Sequence, residues 1–319
     1  MKIQSIKTNS NQNIYFKQRK YRQATPTKTY GDVFVRNLVP KMEFEEAYKD
    51  FQNRIINYIF KTRNFKNDVI EEVLKKYSSS ISVKDLRKKT FSSRVPTKAT
   101  GIFGQSYSIE ETKNGLRAKV KNNELCVIYP KIPNKKSRLK FLENLLHEGI
   151  HFLQDSTKDR KSRVAIINEL IENIKSKELA TEKLNLLFSN YTETENMASS
   201  FLLNAFLSKH PRQEEITREK LNSLCIEQIK EDLETCARAI VANYLDSNSS
   251  CLDVFTKNDL LNYLIHGFNQ EIEAYTLSLN TLEKYCDLNK TFSNGTATIA
   301  RGRVILYKEC AKVAQELKD

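Results

Sequence analysis

Residues Lys140–Asp155 read KFLENLLHEGIHFLQD, and the rest of the chain is best read outward from them. Leu142, Leu145, Leu146, Ile150 and Leu153 recur at spacings that predict a helix with broad apolar packing. Within it, His147-Glu148-Gly149-Ile150-His151 is an HExxH motif. Residues four apart on a helix stack on one face, so both imidazoles can reach one metal ion. Glu148 lies one position along from His147, beside such an ion rather than on it, where it can take a proton from a water. The chain has only four His, and two of them fall at this spacing. Nitrogen and oxygen donors at a hydrolytic site suit zinc, so one Zn2+ per chain is the expected cofactor.

Upstream of the motif the period changes. Ile102–Glu110, Leu116–Val120 and Glu124–Tyr129 alternate as strands do, with Asn114-Gly115 a strong hairpin signal and Asn122-Asn123 a second turn. A small antiparallel meander is therefore expected just before the HExxH helix. Further upstream, Phe44, Ala47, Tyr48, Phe51, Ile55 and Ile59 trace an amphipathic helix. Asp68–Tyr77 reads as a second helix, Ser82–Lys89 as a short third, and Ser93–Thr100 as a connection. Downstream, helical periodicity runs through 160–177, 179–207, 214–245, 258–263, 271–288 and 296–317. Interruptions fall at Lys209-His210-Pro211, at 248–250 and at 289–295; His210 reads as a loop residue without a role. The fold class is α+β, mostly α-helical, with no internal repeat.

Composition narrows the function. Eight Gly and six Pro in 319 residues disfavour sandwiches and glycine-rich linkers and favour long helices. No apolar run approaches the ~20 residues of a membrane span. The opening lacks an apolar core of the Sec type, so a cytoplasmic protein, or one exported without a Sec signal, is expected. Six Cys without a CxxC pair read as free thiols in a reducing compartment. The net charge is +13, and residues 1–31 hold seven Lys or Arg and no Asp or Glu. That segment reads as a disordered basic arm suited to an acidic partner.

The HExxH helix following a small sheet resembles the zincin metallopeptidases. The resemblance implies that the strand before the helix, here Glu124–Tyr129 (ELCVIY), lines the substrate cleft. Gln154 and Thr157 stand where the extended metzincin form has Gly and His, which excludes that branch. The resemblance further implies a third ligand from a later helix, normally Glu, as in the gluzincins. Glu169 lies at a short interval but on a polar face. Glu195, in Glu195-Asn196-Met197-Ala198, fits an ExxA pattern with Tyr191, Ala198 and Leu202 around it. Glu271 interrupts the apolar stripe Leu264, Phe268, Tyr275, Leu279 and Leu282, a costly place for a carboxylate unless paired or metal-bound. Small Ala274 would let its helix approach the HExxH helix closely. Glu271 is the leading third ligand, with Glu273, directly before Ala274, and Glu195 as alternates.

The resemblance implies a zincin-like domain over 101–319, after the basic arm at 1–31 and an N-terminal helical region over 32–100. It implies a zinc-dependent peptidase acting on protein or peptide substrates, with Glu148 as general base. Tyr275, His266 or Tyr263 would stabilise the oxyanion. Two other classes remain open on sequence: a catalytically inactive zincin-like binding module, and a basic-tailed nucleic-acid or membrane adaptor in which the motif is coincidental.

Overall fold

The computed structural model describes residues 42–62, 64–78, 80–86, 101–131, 133–209, 218–286 and 296–318, all within one compact unit. The basic arm, the connection at 93–100, His210-Pro211 and the interruption at 289–295 lie outside the described residues. The described chain is mostly helical with a three-stranded mixed sheet. Helices α1 (Phe44–Lys61) and α2 (Asn67–Lys75) precede strands β1 (Ile81–Asp85), β2 (Gly101–Thr112) and β3 (Gly115–Val127). Helices α3 (Lys135–Ser156), α4 (Arg163–Ile171), α5 (Lys177–Lys209), α6 (Arg218–Ser247), α7 (Lys257–Glu283) and α8 (Thr296–Glu316) follow. No helix among the described residues is long and apolar enough to cross a membrane.

The apolar stripe of α1 is buried at all six expected positions, and α1 packs against α3. The two helices approach closely at Gly149, in the middle of HExxH. A Cβ added there would lie 2.2 Å from Cζ of Phe51. Glycine costs a helix interior about 1 kcal/mol relative to alanine, and here it makes room for the Phe51 ring. Asn134 caps the start of α3 by accepting from the Ser137 N–H at 2.9 Å.

The sheet order is β1-β3-β2, with β1 parallel and β2 antiparallel to β3. Three expectations are corrected here. Ser82–Lys89 does not begin as a helix: Ile81–Asp85 is a strand, with Ile81 and Val83 buried and Lys84 exposed. Five residues are too few for helical and strand periods to separate, and pairing with 123–127 of β3 decides the outcome. Asn122-Asn123 is not a turn. Ser106 pairs with Asn122 and Tyr107 with Val120, so Lys121 is absorbed as a β-bulge and one long strand replaces two. The sheet is accordingly mixed rather than an antiparallel meander, and β3, holding most of Glu124–Tyr129, is its central strand. The hairpin at Asn114-Gly115 does form, with Gly115 at φ 108°, which favours glycine.

Two apolar cores meet at α7. One unites α1, α2, β1 and α3 with Ala274, Leu279 and Leu282 of α7. The other gathers α4, α5, α6 and α8 around Leu260, Leu264 and Phe268 of the same helix. The two segments expected at 258–263 and 271–288 are thus one continuous helix, opened by a Thr256–Asp259 capping box. Gly267 does not break it; a Cβ there would meet the Tyr191 ring of α5 at 2.4 Å. Tyr275 packs against both cores, so the site carried by α3 and α7 sits at their seam.

Candidate metal centre

His147 and His151 project from the same side of α3, with Nε2 atoms 3.3 Å apart and ring planes at 85°. Glu271 reaches them from α7. Its Oε1 lies 3.0 Å from Nε2 of His151 and its Oε2 lies 3.5 Å from Nε2 of His147. Among the described residues these three form the one group of His, Cys, Asp and Glu whose donor atoms converge closely enough for a metal ion. Zinc–ligand bonds of about 2.0–2.1 Å in a tetrahedron separate neighbouring donors by about 3.3 Å. The observed spacings of 3.0, 3.3 and 3.5 Å bracket that edge, so the residues fit the ion.

The tautomer of His151 is set from behind. Gln154, one turn on, accepts from Nδ1 through Oε1 at 3.0 Å. Its own amide donates to the Gln270 carbonyl at 3.0 Å and to Glu273 Oε2 at 2.9 Å, which fixes which way the amide points. The proton therefore sits on Nδ1, and Nε2 faces Glu271 and His147 with its lone pair available. Arg160 holds the other Glu273 oxygen at 2.8 Å. Without a metal, burial alone would lower the basicity of His151, but the Glu271 carboxylate prevails and raises its pKa to about 9. Burial likewise opposes ionisation of Glu271, yet His151 and His147 hold it well below the usual carboxylate range.

Glu148 leaves α3 about 100° round from His147. Its Oε2 accepts from the backbone N–H of Phe103 at 2.7 Å. Phe103 lies on β2, an edge strand, and its N–H is directed away from β3. Gly101 makes this approach possible, because a Cβ there would lie 2.9 Å from Cγ of Glu148. The strand bordering the motif is therefore β2, whereas the sequence resemblance assigned that place to Glu124–Tyr129. The order β1-β3-β2 puts β3 in the interior of the sheet, away from the edge.

The competing glutamates separate clearly. Glu273 supports Gln154 from outside the trio, and Glu169 is exposed and pairs with Lys161 at 2.6 Å. Glu195 stands half-buried beside Tyr191, where burial and the charge of Glu271 push its carboxyl up to about 8. It is not a member of the converging group. The oxyanion candidates separate too. The Tyr275 ring lies 4.3 Å from the His147 ring, centroid to centroid, and its hydroxyl accepts from Arg303. His266 is five residues before Glu271, about 140° round α7. It faces Arg163 and Asp155, its buried Nε2 has no partner among the described residues, and burial lowers its pKa to about 4. Tyr263 packs against Phe188 and Tyr191.

Several supporting groups were not anticipated. Gln154 enters the sequence reading only as a departure from the extended metzincin form, and nothing local connects it to Gln270 and Glu273. Arg303, on the last helix, carries no sequence signal for its place beside Tyr275. Among the described residues, Cys126, Cys236, Cys251, Cys286 and Cys310 form no disulfide. Compared with protein-family models, curated proteins and solved structures, the chain matches none of them.

Proposed function

We propose that this chain is a zinc-dependent metallopeptidase of gluzincin type. The observation that carries the reading is the convergence of His147, His151 and Glu271 from two helices, with Glu148 one position along on the edge of β2. Zinc held by the trio would polarise a peptide carbonyl and acidify a water in its open position. Glu148 then has the general-base role, taking the proton on its carboxylate and returning it to the leaving amine. Gln154 keeps His151 in the ligating tautomer, and Arg160 and Glu273 keep Gln154 in place. Tyr275, resting on His147, is the hydroxyl assigned to offer the developing oxyanion a hydrogen bond. Edge strand β2 offers an extended peptide a strand to pair with, the Phe103 N–H itself being held by Glu148.

The test is cleavage of a mixed peptide library by zinc-loaded protein beside Glu148→Gln. General acid–base catalysis contributes about 10²–10⁴-fold, so Glu148→Gln should lose at least about 100-fold in rate with its zinc retained. Equal cleavage by the two proteins, or none by either, would refute the peptidase reading.

A further inference from the structure

Two arginines on α8, two positions apart, are treated differently. Arg301 is paired with Glu283 at 2.7 Å. Arg303 is half-buried and makes no ion pair among the described residues. Its Nη1 donates to the Tyr275 hydroxyl, its Cζ stands 5.3 Å from the centroid of that ring, and its buried Nε has no partner among the described residues. Glu271 and Glu143 are close enough for their charges to be felt. Glu271 is engaged by the two imidazoles, and Glu143, one turn before His147, forms no bond to the guanidinium. The buried Nε is closed to a ligand, but Nη2 makes no bond among the described residues; a partly desolvated guanidinium is costly to leave so, and that donor suits a carboxylate.

We propose that Arg303 is the receptor for a carboxylate of the substrate, so that the chain prefers peptides carrying a negative charge next to the scissile bond. This rests on the peptidase reading and adds its substrate class. The stack His147–Tyr275–Arg303 links the metal centre to that receptor, and the carboxylate is either a peptide C-terminus or an acidic side chain.

The experiment uses the zinc-loaded full chain and one cleavable peptide made in three versions: free C-terminus, C-terminal carboxamide, and carboxamide with Glu beside the scissile bond. Hydrogen bonds to charged groups are worth enough to give a tenfold or larger preference in kcat/KM. At least one carboxylate version should show it over the neutral one, and which version does so identifies the source. Arg303→Met should abolish the preference through KM, and Arg303→Lys should reduce it. Tyr275→Phe should slow all three versions while keeping their ratio, which separates recognition by Arg303 from support of Tyr275. Zinc content and thermal melting of each variant report whether it folds. Equal cleavage of the three versions by the wild type would overturn the inference and leave the peptidase reading standing. So would a preference that survives in folded Arg303→Met. Absence of cleavage of any version would overturn both.

Discussion

At the scale of single residues, His151 is the most tightly constrained side chain of the centre. It is 5% exposed, its Nδ1 is committed to Gln154, and its Nε2 faces Glu271. Gln154→Leu keeps the volume but leaves that nitrogen without its acceptor. Loss of such an outer partner weakens metal binding about 10–100-fold, and chelator competition should show a decrease of this size. The same residue sets a pH dependence. In the metal-free protein His151 titrates at about 9 rather than at the ordinary 6.5. A raised folded-state value stabilises the protein fully below pH 6.5, and the contribution is lost as pH rises through 9. Thermal melts of chelator-treated protein should therefore fall between pH 6.5 and 9, by at most about 3 kcal/mol. His151→Asn should flatten that part of the profile; an unchanged slope would show that another group is responsible.

At the scale of elements, α3 needs both its spacing and its glycine. Alanine is the better helix former, yet Gly149→Ala would drive a methyl into Phe51. Overpacking of this kind costs about 1–3 kcal/mol, which should outweigh the gain in propensity. Gly104→Ala is the control, because a Cβ at Gly104 meets nothing within 4 Å. Urea midpoints should drop for the first variant and stay nearly level for the second. The elements also show what a sequence can carry. His147 and His151 are legible because i and i+4 is a local relation, and Glu271 because it interrupts an apolar stripe on its own helix. β1 was misread because pairing with β3 outweighs the periodicity of five residues. Asn122-Asn123 resembled a turn because a bulge and a turn draw on similar residues, and only the partner strand distinguishes them. The segments read at 258–263 and 271–288 join in one α7, in which Gly267 serves a close approach by Tyr191. Arg303 was invisible, since its meaning comes from a contact between helices 28 residues apart in sequence.

At the scale of the whole molecule, the centre ties two apolar cores together. α3 belongs to one core and α7 to both, so an ion shared by His147, His151 and Glu271 would cross-link the seam. Binding to the folded form alone stabilises it by mass action, about 2.7 kcal/mol at a hundredfold excess over Kd. Zinc should accordingly raise the melting temperature, and a chelator should reverse the shift.

The most direct measurement is metal content by mass spectrometry on the zinc-reconstituted wild type beside His151→Ala, Glu271→Ala and Glu273→Ala. About one zinc per chain is expected in the wild type, with loss in His151→Ala and Glu271→Ala and retention at weaker affinity in Glu273→Ala. A wild type that holds no metal, or a Glu271→Ala variant that holds as much as the wild type, would contradict this expectation.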